Sequence, residues 1–347
     1  MKVLVTGGAG YIGAVLCKQL REAGHDVVVL DRFFWGFEPL AGLDVSTIVG
    51  DVRDFADEWM DGVDAVCHLA GLSNDPTAEY NPDANWQMNV IATERIVAAC
   101  KRAGVRRFTF ASSASIYDTE QSAQEVERSP TMCDERTEVA PRGAYSISKF
   151  KAEQIIADAA DESFAPVIFR QGTVYGFSPR MRFDLVVNTF VKDALLLRQL
   201  FLHGGGWMWR PLVDVADVAK VHVLALDAPL DKIRGETFNV LEENYQIRQL
   251  AMLVAGSLAL HSKRIRVDLQ EAPLPKLVRN YRMSNSKLSN VLGVTPSITV
   301  LESIENMLQL LPIDRLEELG HPKYYNIRWM TLLEAVHTTQ RTFASIY

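Results

Sequence analysis

The segment TGGAGYIG, from Thr6 to Gly13, constrains this chain more than any other part of its sequence. It follows a short apolar run, Lys2–Thr6, that reads as a buried strand, and it leads into a predicted helix over residues 11–23, ended by Gly24. Glycine at Gly7, Gly10 and Gly13 suits three demands of such a junction. The turn is tight, the backbone must come close to a diphosphate, and the helix must pack close to the strand. The helix N-terminus then presents free N–H groups and a partial positive charge to the phosphates. An acid, Asp31, ends the next apolar run at residues 26–30, where it can accept from both ribose hydroxyls and repel a 2′-phosphate. Together these features predict a dinucleotide site with NAD favoured over NADP. Arg32, beside the acid, is the one group there able to tolerate the phosphate.

Strand-like and helix-like segments alternate through the first half. Short apolar runs fall at Ser46–Val49, 65–69, 107–111 and 167–171, and helical stretches at 83–103 and 143–160. That alternation implies a parallel sheet covered on both faces. The expected fold is α/β, a Rossmann-type doubly wound parallel sheet with a smaller mixed α/β substrate domain built mainly from the C-terminal half. Residues 1–176, with about 211–241, are expected to form the cofactor domain, and 238–240 to return as a late strand of its sheet. About 177–210 and 242–311 form the substrate domain, with helices near 184–197, 215–226, 247–260 and 301–311. The polar stretch 118–137 reads as a surface insertion. Residues 312–347 read as a helical tail to which the sequence assigns no role.

The totals narrow the class. The chain has 347 residues, 48% of them hydrophobic and 23% charged, which is ordinary for a globular enzyme. A net charge of −7 argues against a nucleic-acid or anionic-membrane partner. No apolar run approaches the roughly 20 residues of a membrane helix, and the N-terminus turns to glycine too soon for a signal peptide. Cys17, Cys67, Cys100 and Cys133 lie far apart, so reduced thiols in a cytoplasmic protein are expected. No metal is expected: Asp214 and Asp217 lack a third ligand, and Asp217 reads as an N-terminal residue of the helix that follows. His68 reads as a packed histidine, and Trp207 and Trp209 as part of a packed loop.

Tyr145 and Lys149 are four apart on a predicted helix and share a face. A free phenol, with a pKa of about 10, is a poor base. A nearby ammonium and an oxidised nicotinamide would stabilise the phenolate. SSAS, from Ser112 to Ser115 after the fifth strand, supplies a hydroxyl donor.

With these elements placed, the sequence resembles the extended short-chain dehydrogenase/reductase family, of the nucleotide-sugar epimerase type, from Met1 to about Leu311. TGGAGYIG matches the family's phosphate loop, which adds Tyr11 and Ile12 to the glycines. GDVRD resembles its adenine-contacting segment and points to Asp51 and Val52. HLAGLS resembles the segment lining the cofactor, with Leu69, Ala70, Gly71 and, toward substrate, Ser73. NVIAT places Asn89 at the family's asparagine. FASSASIY places Ser112 beside the cofactor and Ser113 at the catalytic hydroxyl, and AYSISK supplies Tyr145 and Lys149. For the substrate, the resemblance implies Thr173, Asn188, Arg210, Arg279 and Arg282. Ser73 stands where galactose-type epimerases carry a lysine, and Thr173 where an asparagine is common.

The resemblance implies an NAD-dependent enzyme acting on a nucleotide-diphosphate sugar, a homodimer formed through the helices at 83–103 and 143–160, and epimerisation at C4 through a transient 4-keto sugar. Ile91, Ile96, Ile155 and Ile156 offer apolar contacts for the dimer. An NAD(P)H-dependent 4-ketoreductase of deoxysugars is the alternative. A non-catalytic dinucleotide sensor would not need the intact Tyr, Lys and Ser set. Ser113 is followed by Ala114 and Ser115, so the carboxylates that dehydratases and decarboxylases of this family carry there are absent.

Overall fold

The computed structural model describes residues 1–117, 130–261, 266–273, 279–312 and 315–344. The start of the polar insertion, 118–129, lies outside the described residues.

Seven parallel strands form the central sheet. In chain order they are β1 (Lys2–Thr6), β2 (Asp26–Asp31), β3 (Ser46–Val49), β4 (Ala65–His68), β5 (Arg107–Ser113), β7 (Ala165–Gln171) and β11 (Glu236–Val240). A two-residue strand, β6 (Met132–Cys133), precedes β7 outside this sheet and pairs with β14 (Arg282–Met283). Across the sheet the order is β11-β7-β5-β4-β1-β2-β3. The late strand expected near 238–240 is β11, which pairs with β7 at the edge.

Alternation along the buried strands supplies both faces. Val3 and Val5 pack with Leu16, Cys17 and Leu20 of α1 (Tyr11–Glu22) and with Ala219 and Leu226 of α7 (Val215–Asp227). Leu4 faces the other way, with Ile96, Val97 and Cys100 of α4 (Ala92–Ala103) and Ile156 of α5 (Ala144–Asp158). This is the doubly wound arrangement that the alternating pattern predicts.

The stretch 83–103 is not one regular helix. It runs as α3 (Pro82–Trp86), a π turn at Gln87–Ile91, and α4. The wide turn carries Asn89, whose carbonyl accepts from the Thr93 hydroxyl at 2.7 Å. A short helix absent from the sequence reading, α2 (Asp75–Tyr80), precedes it; Asn74 caps it by accepting from the Thr77 N–H at 3.1 Å.

The second half packs in a core continuous with Phe169 of β7 and Phe238 of β11. Helices α6 (Val186–Leu196), α9 (Ile247–His261) and α11 (Val300–Leu310) contribute Phe190, Leu250 and Ile304. The short helices α8 (Leu230–Ile233) and α10 (Ser286–Leu292) add Ile233 and Leu288. A three-stranded sheet, β12 (Glu243–Gln246), β10 (Trp209–Asp214) and β8 (Thr173–Tyr175), adjoins them, and β9 (Gln199–His203) pairs separately with β13 (Asp268–Ala272). Asp217 lies in the first turn of α7, and the cap is the residue before the helix. That residue, Asp214, accepts from the Ala216 N–H at 2.8 Å, while Asp217 accepts from the Ser297 and Ile298 N–H groups. The last helix is α12 (Asn326–Ala344). No described helix is long and apolar enough to cross a membrane, and no metal-binding cluster occurs among the described residues.

Candidate active site

The loop between β1 and α1 shows why glycine is required. Gly7 has φ +75°, and a Cβ there would lie 2.8 Å from the Ala70 amide nitrogen. A Cβ on Gly13 would lie 2.2 Å from the Gly7 carbonyl oxygen. Ala14 makes the first intrahelical bond, to Gly10 at 3.0 Å, so the Tyr11, Ile12 and Gly13 N–H groups have no acceptor within the helix. These residues line a cleft that is open to solvent.

Gly7, Gly10, Tyr11, Ile12 and Gly13 line the cleft, as do Asp31, Arg32 and Val52 on one side and Leu69, Ala70, Gly71 and Ser73 on the other. Asp31 accepts from the Ala9 and Phe33 N–H groups at 3.0 and 2.8 Å, which fixes its carboxylate at the end of β2. Burial raises its pKa, and those backbone donors oppose the shift. Arg32 is drawn away to Asp51 at 3.1 Å and stacks 4.0 Å over Phe34.

Three residues expected to touch the cofactor also hydrogen-bond within the protein. The Asp51 carboxylate is gripped by Arg53 and Arg32, which lower its pKa although burial acts the other way. Asn89 donates to the Leu72 carbonyl and accepts from the Leu72 N–H at 2.9 Å, so it shapes the loop after β4. The Ser112 hydroxyl donates to Glu153 in the core. His68 is a packed histidine: its ring bonds Thr6 and Thr93, and burial pulls its pKa down to about 3.

Tyr145 lies in the first turn of α5, with the Ser113 hydroxyl at the end of β5 near enough to influence its phenol. Burial raises the phenol's pKa, and the Ser113 hydroxyl and the Arg182 charge oppose it. Ser113 also accepts from the Ser115 N–H at 3.2 Å. Lys149, one turn on, donates to the Ala111 carbonyl at 2.9 Å and lies 4.7 Å from the Phe110 ring. Burial pulls its pKa down to about 8, against the charge of Glu153. Arg182 thus adds a cation acting on the phenol that the sequence reading did not name, and Lys149 lies one turn along the same helix.

Of the substrate candidates, Ser73 faces the cleft, accepting from Arg182 at 3.2 Å and Asn326 at 3.0 Å. Thr173 is half-buried in β8. Asn188 is wholly buried and bonds the Gly176 N–H, the Tyr11 hydroxyl and the Arg182 carbonyl. Arg210, Arg279 and Arg282 come together. Arg210 donates to the Arg279 carbonyl, Arg279 pairs with Asp75 at the start of α2, and Arg282 lies 5.2 Å over Trp209. Trp207 stacks with Arg248 at 3.9 Å.

The sequence reading missed Arg180, Arg182, Trp35 and Asn326, all of which line the cleft. Two arginines in FSPRMRFD, just past Gly176, were an available signal for the first two. Asn326 had none.

The sequence profile of the family described as NAD dependent epimerase/dehydratase matches residues 3–240. UDP-glucose 4-epimerase of Corynebacterium glutamicum is 28% identical over 320 residues, 88% of this chain and 93% of that protein. UDP-glucose 4-epimerase of Streptomyces lividans is 35% identical over 244 residues, covering 65% of this chain and 71% of its own. Among solved structures, UDP-glucose 4-epimerase of Thermus thermophilus in complex with NAD superposes with a TM-score of 0.74 at 25% identity. That match covers 90% of this chain and all of the other, 100%.

Proposed function

This chain belongs to the NAD dependent epimerase/dehydratase family, and from that premise we propose that it interconverts nucleotide-linked sugars epimeric at C4. The observation that carries the reading is Tyr145, whose phenol is influenced by the Ser113 hydroxyl and by Arg182, an arginine that lines the cleft of the glycine loop. The cleft suits NAD: Gly7 and Gly13 let the β1–α1 loop pack tightly on its own backbone and on the loop after β4, and the unbonded donors of α1 would meet a diphosphate. Asp31 meets the ribose, and Lys149 stands below the catalytic pair. Residues 1–176 with 211–241 hold the cofactor, and the later segments, with Arg210, Arg279 and Arg282 as a cationic group, take the nucleotide diphosphate.

Bound NAD supplies reversible hydride acceptance at C4, and the proton chemistry falls to the chain. Tyr145 as phenolate takes the proton of the C4 hydroxyl, and Ser113 donates to the oxygen as it becomes a carbonyl. The resulting 4-keto sugar turns about its diphosphate tether, and Tyr145 returns the proton after C4 is reduced on the opposite face. Arg182 favours the phenolate throughout. Ala114 and Ser115, both buried, supply no carboxylate for elimination or decarboxylation.

A recycling epimerase regenerates its cofactor each turn, so the desalted protein is expected to carry close to one NAD per chain, read by absorbance and chromatography after denaturation. Protein that is active only with added NADH would favour a reductase. Asp31→Ala is expected to weaken NAD at least about tenfold and narrow its advantage over NADP, because the acid both binds ribose and repels phosphate. Titration showing unchanged preference would remove Asp31 from that role.

Two further expectations concern the whole molecule. Buried thiols at Cys17, Cys67 and Cys100 suit a cytoplasmic enzyme. A homodimer is expected through α4 and α5. Ile96 and Ile156 are fully buried in the chain's own core and contribute nothing to it, whereas Trp86 of α3 and Ile147 of α5 are 39% and 40% exposed. Light scattering should give twice the chain mass at micromolar concentration; a monomer would refute this.

A further inference from the structure

The tail without a role in the sequence packs across the mouth of the cleft. Its anchor is Asn326, the first residue of α12, which donates to Ser73 at 3.0 Å and accepts from the Arg180 guanidinium. One turn on, the Trp329 indole donates to the Phe34 carbonyl at 2.6 Å. These bonds tie together the loops after β2, β4 and β8, which are distant in sequence.

Arg180 is the unusual member. It is 5% exposed, stacks 4.0 Å over Trp35, and its Nε has no hydrogen-bond partner. Among the described residues no carboxylate pairs with it, whereas its neighbour Arg182 is paired with Asp184 at 2.8 Å. The Trp35 indole nitrogen is likewise buried and unpartnered. A buried guanidinium without a counter-charge is costly, and such groups are normally met by an anion. Burial pulls its pKa down to about 9, and the opposing charges of Asp184 and Asp31 do not offset this. Arg180 lines the same cleft as Gly10 and Gly13, onto which the free N–H groups of α1 open.

We propose that Arg180, held in place by Asn326, binds the diphosphate of the dinucleotide, so that the first turn of α12 completes the cofactor site and slows cofactor release. The family profile ends at residue 240 and assigns nothing to this segment. The inference rests on the reading of the cleft as an NAD site. Arg180 supplies the charge, Asn326 is its positioning residue, and Trp329 clamps the Phe34 loop over the same end.

The test follows NADH bound to the purified protein, by its fluorescence, during displacement by excess NAD. Arg180→Met should speed release at least about 30-fold, in line with loss of a charge-assisted contact. Asn326→Ala should speed it about tenfold, and Arg180→Lys should fall between Arg180→Met and wild type. Thermal melting separates binding from folding. Without dinucleotide, Arg180→Met should melt at or above the wild-type temperature, because an unpaired buried charge has gone, yet it should lose most of the rise that NAD gives. Release rates within twofold of wild type in both Arg180→Met and Asn326→Ala would overturn the proposal. Wild-type protein that binds no dinucleotide would instead overturn the reading of the cleft on which it rests.

Discussion

Tyr145→Phe is expected to lower turnover at least about 100-fold while leaving NAD binding within a few-fold of wild type. The phenyl ring keeps its packing in the first turn of α5, and only the hydroxyl that Ser113 influences is lost. The same geometry sets the sign of the pH dependence. Burial raises the phenol's pKa, so the base is protonated and idle at low pH, and activity climbs as pH rises through that value. Arg182 and the Ser113 hydroxyl limit how far up it lies. Arg182→Leu should therefore move the acidic limb of the kcat profile to higher pH. Stopped assays over a pH series on both variants check this. Near-wild-type turnover in Tyr145→Phe would remove the tyrosine from the chemistry.

Arg170→Leu is expected to destabilise the protein by about 3–5 kcal/mol, because it strands a buried carboxylate. Arg170 and Glu153 are 7% and 4% exposed and joined by a bidentate pair at 2.8–3.2 Å. Glu153 also accepts from Ser112 and supports the charge of Lys149, while Arg170 donates to the Tyr117 hydroxyl at 2.8 Å. The pair thus ties β5, α5 and β7 together directly behind the catalytic residues. Urea unfolding should show the lowered midpoint, and Arg170→Leu with Glu153→Leu should recover part of the loss, since the stranded carboxylate is then gone. Equal destabilisation in the single and double variants would mean that packing around Arg170, and not the stranded charge, carries the effect.

What the sequence made legible was local. The phosphate loop, the acid ending β2 and the tyrosine–lysine helix are each set by residues a few positions apart, and buried parallel strands read as apolar runs. What it hid depends on distant partners. Ser112 reads as a cleft hydroxyl, and its bond to Glu153, on another element, shows only in the fold. Asn188 reads as a ligand contact, and its bonds to Tyr11 and Gly176 show only there too. Asn89 is shifted by a π turn that no periodicity announces, and α2 is too short for periodicity to reveal. Arg180 and Asn326 are 146 residues apart, and Ser73 and Asn326 are 253 apart, so the cover on the cleft exists only in the folded chain.

The central claim is that Tyr145, Ser113 and the bound dinucleotide invert C4 and do nothing further. Incubating the purified protein, without added NADH, with UDP-, dTDP-, GDP- and CDP-linked hexoses and following the products by NMR tests it most directly. The account predicts that one of these is converted to an equilibrium mixture with its 4-epimer. Accumulation of a 4-keto-6-deoxy sugar, or conversion of a 4-keto sugar only when NADH or NADPH is supplied, would contradict it.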